Sequence, residues 1–414
     1  MLLKDVRLHP RTIMRYAERF INDGSPSGFS ELNSTSPATS PFGFKPYFTL
    51  LSARSTNVRT FGSLTDAPFV MDRLPSDSIY VHPDMEKVLR DQGTDCDLRR
   101  TNMLVAPTAS GRTVQILSGN SNDYLKLHYA RVLGRMTREL SFAKAISGPE
   151  TSRLIEAAVQ KKELPAALHL LPEPFARVVS FETPTGDKEW GMVYRRSDPI
   201  GPEAEKIRIL LPCFSLFSAD RFAVHHPTLL SQVLSEVGGD ADEYFVETIV
   251  TPVIDAYFML LRILGLQAEW NAQNLLFGFS ADFRCAFVVM RDLESVDKDI
   301  SLMERVGVST DFDSAPYKCI DASQYNYQIK HSFMFDFKLG ECVLRPLFGA
   351  ASCQLKMGFD TFASVVRTRV VKHLGYLPPN FFPDGRWYSF DKVLVDQRSD
   401  ARPYLEHRSP VFRQ

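Results

Sequence analysis

What this chain lacks narrows the reading first. Its six cysteines, at positions 96, 213, 285, 319, 342 and 353, form no CxxC pair and have no histidine at zinc-ligand spacing. That argues against structural zinc and against a disulfide framework, and makes a reducing cytoplasm the expected setting. Neither charge sign prevails, since 48 Lys and Arg stand against 49 Asp and Glu. No global field draws the chain to nucleic acid or an anionic membrane, so a polyanion would have to be bound locally. Long hydrophobic runs are scarce too. The opening MLLKDVRLHPRTIMRY has Lys4, Asp5 and Arg7 where a signal peptide needs an apolar stretch. The most apolar segment, around Ile254 to Leu266, is broken by Asp255 and Arg262 and reads as too short for a membrane span. There is no internal repeat, and low complexity is confined to Asp23 to Phe44, a Ser/Pro/Gly-rich stretch that reads as a loop.

What remains is an ordinary globular composition, 44% hydrophobic and 23% charged, over 414 residues, which is enough for roughly two to three lobes. Residues 8 to 22 have a helical pattern. Ser78 to Arg90 reads as a strand entering a helix, with Pro83 in the first turn and His82 as a capping or packing histidine. APTASGRTVQILS, residues 106–118, sets Ser110, Arg112 and Thr113 in a turn ahead of a strand, where hydroxyl, guanidinium and backbone N–H groups can hold a phosphate. From Asp123 the pattern starts strand-like and becomes helical. Arg131, Arg135 and Arg138 then share one face, which is either a solvated basic face or part of an anion pocket. Further along, 149–170 reads as a helix and 175–196 as a hairpin turning at Thr185-Gly186-Asp187. Ile207 to Ser218 reads as a buried strand with its exit, and Asp240 to Leu266 as a long helix kinked or divided at Pro252. Residues 293–325 have weak periodicity and suggest a mobile loop. Tyr327 to Phe348, Met357 to Leu374 and Trp387 to Val395 suggest helix, helix and strand.

The chain is organised around QAEWNAQNLLFGFSADFRCAFVVMRD, Gln267 to Asp292. NLLFGF and RCAFVVM are aromatic and β-branched runs joined through Ser280, Ala281 and Asp282, the pattern of a hairpin. Pairing Phe279 with Phe283 puts Asn274 opposite Val288 and Trp270 opposite Asp292, with Asn274 and Asp292 on one face. A one-residue slip would reverse one strand's set. In either register Asp292 returns close to Glu269, Asn271, Gln273 and Asn274. Such an oxygen-rich end suits a hard cation such as magnesium, or is simply solvated.

Taken in order, these motifs resemble the NRPS-independent siderophore synthetases, the aerobactin-synthetase-like ATP-dependent ligases. The family series is an HPW-type element, PTxSxRT, KL followed by a distal Arg, ExHxQN, RD and an NPL-like tail. It stands here as His82-Pro83, Pro107 to Thr113, Lys126-Leu127 with Arg138, Glu269 to Asn274, Arg291-Asp292 and Ser409-Pro410-Val411. Three positions depart from the family. Its early GHPxHPxxK element has only His9-Pro10 as an echo, Asn271 occupies the His position of ExHxQN, and Gly134 stands where citrate-using members carry Thr.

The resemblance implies an α/β, hand-like architecture of thumb, fingers and palm, with a mixed or antiparallel sheet and a largely helical carboxyl-terminal palm. The expected divisions are a reduced thumb-like segment over 1–78, a fingers-like α/β region over 79–225, and a palm-like region over 226–414 carrying the ATP and magnesium hairpin. The implied activity joins a carboxylic acid to an amine or hydroxyl through an acyl-adenylate, in biosynthesis of a siderophore or related natural product. ATP would be held by Ser110, Arg112, Thr113, Lys126, Arg138 and Gln273, and Mg2+ by Glu269, Asn274 and Asp292. Lys126, Arg138 and Asn271 would face the reacting groups. The implied partners are the small-molecule acid and the amine or alcohol, with a homodimer as candidate assembly and no nucleic acid or membrane. The departures imply that citrate is not the acid. Two other classes stay open, a phosphotransferase and a family member that binds without catalysing.

Overall fold

Short runs between residues 48 and 195 that mix β-branched, aromatic and other apolar residues with polar ones form eight strands, which pair into one sheet in a computed structural model of the chain. The structure describes all residues except 9, 24–46, 63, 68–69, 71–72, 93–95, 120, 134–135, 162, 166–167, 313–317 and 391–403. The loop expected from Asp23 to Phe44 therefore lies almost wholly outside the described residues, as does His9.

Two helices, α1 (Leu3–Leu8) and α2 (Pro10–Phe20), open the chain. The large sheet takes β1 (Phe48–Arg54), β2 (Asn57–Phe61), β3 (Ser78–Val81), β4 (Leu98–Pro107), β5 (Thr113–Ile116) and β6 (Tyr124–Leu127). A separate two-stranded ribbon, β7 (Tyr129–Leu133) and β8 (Met136–Arg138), follows. After β9 (Leu168–Leu170), β10 (Phe175–Phe181) and β11 (Lys188–Arg195) complete the large sheet in the order β2-β10-β11-β6-β5-β4-β1-β3. Strands from both sides of residue 78 thus share it. A second sheet, ordered β12-β14-β15-β9, contains β12 (Ile209–Pro212), β14 (Leu275–Phe279) and β15 (Ala286–Met290), with β9 parallel to β15. The short β13 (Leu266–Gln267) pairs instead with Asp297–Asp299. The mixed α/β class and the antiparallel and mixed sheets are as expected, and the carboxyl-terminal part is largely helical.

Several local expectations change. The basic helix through Arg131, Arg135 and Arg138 is not formed: Arg131 lies in β7 and Arg138 in β8, while Arg135 is outside the described residues. Pairing satisfies this backbone instead, with Tyr129 opposite Arg138 and Val132 opposite Thr137. The His128 ring also accepts the Leu140 N–H at 3.1 Å. A helix begins only at Phe142 and runs to Gln160, so the helix expected over 149–170 is displaced toward the amino terminus.

The β14–β15 hairpin holds Phe279 opposite Ala286 and Leu275 opposite Met290, three residues out of the expected register. Its loop is longer because Ser280 Oγ accepts the Cys285 N–H at 3.0 Å and Asp282 accepts the Arg284 N–H at 3.2 Å. Phe283 takes a positive φ of 61° within it and buries its ring against Phe279, so the two touch without pairing. The stretch read as a mobile loop contains Asp297–Asp299, a helix over Ile300–Val306 and Cys319–Ile320.

Pro252 does not break the long helix. A π-helical segment, Tyr244–Val250, precedes it, so Pro252 falls in the first turn of the α-helix Thr251–Leu264. Thr251 N–H still bonds the Val246 carbonyl in the π pattern, so the change to α-helical bonding falls where Pro252 offers no N–H. The whole run Ala241–Leu264 is long and apolar enough to cross a membrane by length and composition, longer than the Ile254 to Leu266 segment suggested. It is mostly buried: Phe245, Ile249, Val253, Tyr257 and Leu261 belong to the main core.

Candidate active site

Lys126 lies on β6 inside the large sheet and is 2% exposed. Register places Thr113 of β5 opposite it on one side and Val193 of β11 on the other, so Arg195, two residues beyond Val193, shares its face. One sheet face thus carries Thr113, Lys126 and Arg195.

The turn between β4 and β5 is built by its own small and hydroxyl residues. Thr108 Oγ donates to the Thr113 carbonyl at 2.8 Å, and Ser110 Oγ accepts the Thr113 N–H at 3.1 Å. Gly111, at φ +73°, lets the chain reverse in the left-handed region. Arg112 leaves this turn nearly buried, donating through Nη1 to the Arg138 carbonyl at 2.9 Å.

The mouth of the hairpin meets this surface. Asn271 Oδ1 accepts the N–H groups of both Gln273 and Asn274 at 2.9 Å, a local cap that shapes the entry to β14. At the other end Arg291 N–H donates to the Asn274 carbonyl at 3.0 Å, and Asp292 then adopts a left-handed conformation, φ 69° and ψ 57°. The Asp292 carboxylate pairs with Lys126 Nζ and, at 2.9 Å, with Arg195 Nη2. Glu294, two residues on, pairs with Lys126 and lies 3.7 Å from Arg112 Nη2. Arg195 also donates through Nε to Glu173 at 2.8 Å. Glu269 pairs with Lys338 of the π-helical stretch Phe333–Leu344 at 3.1 Å, and Asn274 Nδ2 reaches Glu269 and Ser295 Oγ, each at 3.4 Å.

The electrostatics follow from this packing. Burial pushes the Asp292 and Glu294 carboxyls up, but Lys126, with Arg195 and Arg112 for Asp292 and Arg112 for Glu294, holds both below their ordinary range. Glu269 is likewise brought down to about 2 against its burial, chiefly by Lys338 and Lys318. Burial lowers His82 and His128 to about 3, which leaves both rings neutral at pH 7. Near neutral pH the positive charge of the site therefore comes from arginine and lysine.

Of the sequence-derived candidates, Arg112, Lys126, Asp292 and Arg138 come together, the last through its backbone and its charge. Glu269 and Asn274 join this group at the hairpin mouth. Ser110, Thr113 and Asn271 mainly build turns, and Gln273 contributes its carbonyl to Arg291 Nε at 2.8 Å. Sequence reasoning missed Glu294, Arg195, Glu173, Lys338 and Glu18. Glu294 could have been found from its place two residues after Asp292. The others come from distant strands and helices with no local signal.

Glu269, Asp292 and Asn274 offer the oxygens a hard cation prefers, and Glu294 adds another carboxylate. Among the described residues, no group of three or more His, Cys, Asp or Glu side chains converges as a metal site. The oxygen chemistry fits magnesium, while each carboxylate is committed to a lysine or arginine.

No protein-family model matches the sequence, and no curated protein does either. Solved structures do resemble it. The petrobactin biosynthesis protein AsbB from Bacillus anthracis str. Sterne superposes with a TM-score of 0.72 at 13% identity, over 96% of this chain and 74% of that one. ATP-bound aerobactin synthetase IucA from a hypervirulent pathotype of Klebsiella pneumoniae gives 0.66 at 14% identity, over 100% and 80%. Aerobactin synthetase IucC from the same source gives 0.60 at 15% identity, over 86% and 67%. At these identities the likeness establishes the fold, and that fold is the one of the NRPS-independent siderophore synthetases.

Proposed function

We propose that this protein is an ATP-dependent ligase that activates a carboxylic acid as its acyl-adenylate and passes the acyl group to an amine or alcohol in siderophore-type biosynthesis. The observation that carries the reading is the charge-compensated cluster of Arg112, Lys126 and Arg195 with Asp292 and Glu294 at the hairpin mouth. A magnesium triphosphate has the same two halves, a polyanion for the cations and a dication for the carboxylates. Its arrival would exchange each internal ion pair for an equivalent one without stranding a buried charge. The likeness to an ATP-bound aerobactin synthetase supports the same reading.

In the first step a carboxylate oxygen of the acid attacks the α-phosphorus, the bond to the β-phosphate oxygen breaks, and pyrophosphate leaves. In the second the amine or hydroxyl attacks the acyl carbon, loses its proton, and AMP departs. Arg112, Lys126 and Arg195 would neutralise the phosphate charge, with Ser110 and Thr113 in the turn beside them. Glu269, Asn274 and Asp292 would hold magnesium, which adds charge neutralisation at the phosphates. Arg138, exposed on β8 and within electrostatic range of Arg112, Asp292 and Glu294, would pair with the acid. Asn271 uses its side-chain oxygen as a cap, so a contact to substrate falls to its amide nitrogen and lacks the charge a histidine could bring. Acids with fewer carboxylates than citrate are therefore favoured, including amino-acid and acyl conjugates.

Pyrophosphate release from ATP, with hydroxylamine as acceptor and a panel of acids including citrate, tests this. AMP and pyrophosphate with an acid other than citrate preferred is the expected result. ADP and phosphate with a working substrate would instead mean a phosphotransferase, and no thermal stabilisation by magnesium-ATP would mean a protein that does not use nucleotide.

A further inference from the structure

Three elements far apart in the chain meet at a carboxylate that belongs to none of the motifs. Glu18 lies on α2 and is 1% exposed. Its Oε2 accepts the Ala109 N–H at 2.7 Å, inside the turn that leads to Ser110 and Arg112. Its Oε1 accepts from Arg291 Nη1, and Arg291 holds the Gln273 carbonyl through Nε. A single side chain therefore ties the phosphate-type turn to the mouth of the hairpin. A carboxylate suits the task because both oxygens only accept, so each can serve a different donor through a charge-assisted bond.

The two halves need such a tie. The turn belongs to the eight-stranded sheet and the hairpin to the four-stranded one, so among the described residues no strand pairing fixes their separation. The pairs from Lys126 and Arg195 to Asp292, and from Lys126 and Arg112 to Glu294, also cross between them. Those are the contacts a magnesium triphosphate would take over. Glu18 uses none of these cations, so its bridge would persist while the others exchange.

We propose that Glu18 is a positioning residue that sets the distance between the cationic turn and the oxygen-rich hairpin mouth, so that one nucleotide polyphosphate meets both. The assignment rests on the nucleotide reading above. Arg291 acts with it, as the arm that carries the constraint into Gln273 and the start of β14.

Glu18→Gln presents an amide donor to one of two donors and removes the charge facing Arg291. Glu18→Asp keeps the charge but is one methylene too short to serve both partners. Binding of magnesium-ATP and of AMP by calorimetry, with backbone hydrogen exchange over residues 107–113, separates the outcomes. The ratio of ATP to AMP affinity is insensitive to any inactive fraction. That ratio should fall about tenfold in Glu18→Gln and less in Glu18→Asp, with faster exchange in the turn. An unchanged ratio with unchanged exchange in folded Glu18→Gln overturns the proposal; should that variant fail to fold, the same result in Glu18→Asp does so. Wild-type protein that binds neither nucleotide refutes the ligase reading itself. The positioning role falls with it, and exchange over residues 107–113 then reports only whether Glu18 orders the turn through Ala109.

Discussion

Replacing Lys126 with methionine keeps an unbranched side chain of similar length and deletes the charge on which two buried carboxylates depend. Lys126 Nζ is shared by Asp292 and Glu294. Removing one partner of a buried ion pair costs about 3–5 kcal/mol, because the remaining charge is left without its counter-ion. Here part of that loss is relieved, since Arg195 stays 2.9 Å from Asp292 and Arg112 stays 3.7 Å from Glu294. The lower end, about 3 kcal/mol, is the expected cost. With an unfolding entropy of about 2.1 cal/mol/K per residue over 414 residues, it corresponds to a Tm about 3 °C lower.

The pH dependence identifies the cause. Asp292 and Glu294 have folded pKa values below their unfolded ones. The stability they contribute is present above about pH 4 and is lost as pH falls through the depressed folded values. The gap between wild type and Lys126→Met should therefore be full at pH 7 and narrow below about pH 4. Millimolar magnesium should restore part of it at neutral pH, because a dication can stand where the ammonium was. Thermal unfolding across this pH range, with and without magnesium, is the assay. A variant as stable as wild type at neutral pH, or a deficit that persists unchanged where the carboxyls are protonated, refutes the reasoning.

Asp292→Asn removes a carboxylate from the proposed metal site and a counter-charge from Lys126 and Arg195, so the magnesium requirement should rise and turnover fall at least about tenfold while the Tm drops by a few degrees. Pyrophosphate release titrated with magnesium measures it, and a near-normal rate with unchanged magnesium dependence would return Asp292 to a purely structural role. Burial raises the Asp336 carboxyl to about 6 despite Arg413 and Ser332 beside it. Its protonation contributes stability that is complete below the unfolded value of about 4 and is lost as pH rises through about 6. Asp336→Asn should flatten that component in denaturant titrations over the same window, and an identical slope in the variant would exclude Asp336 as its source.

The order of the motifs along the chain indicated the fold through their resemblance to a known family, while individual turns were readable because strand and turn chemistry is local. The β4–β5 turn is made by Thr108, Ser110 and Gly111 within six residues of one another, and His82 caps the segment that Pro83 opens, as their neighbours in sequence implied. The hairpin was also readable from its two apolar runs, though not its register. That depended on Phe283 leaving the ladder for the core, a packing decision with no trace in the turn residues. Arginine spacing suggested a helix at 131–138, where the partners available in three dimensions made a ribbon instead. Cross-strand hydrogen bonds and the His128 anchor outweigh a weak periodicity.

Lys126, Arg112 and Asp292 could be named from sequence because family-like motifs contain them. Their state could not. The partners that fix it come from distant elements: Arg195 through the β6–β11 pairing, Glu294 through a short turn, and Glu18 from a helix 273 residues before Arg291. Local composition selects which residue types are available to a site, since propensity and turn geometry act over a few neighbours. Which charges neutralise one another, and how far apart two sheets hold their halves of the site, is decided only when burial brings remote segments together and every desolvated charge must find its counter-ion.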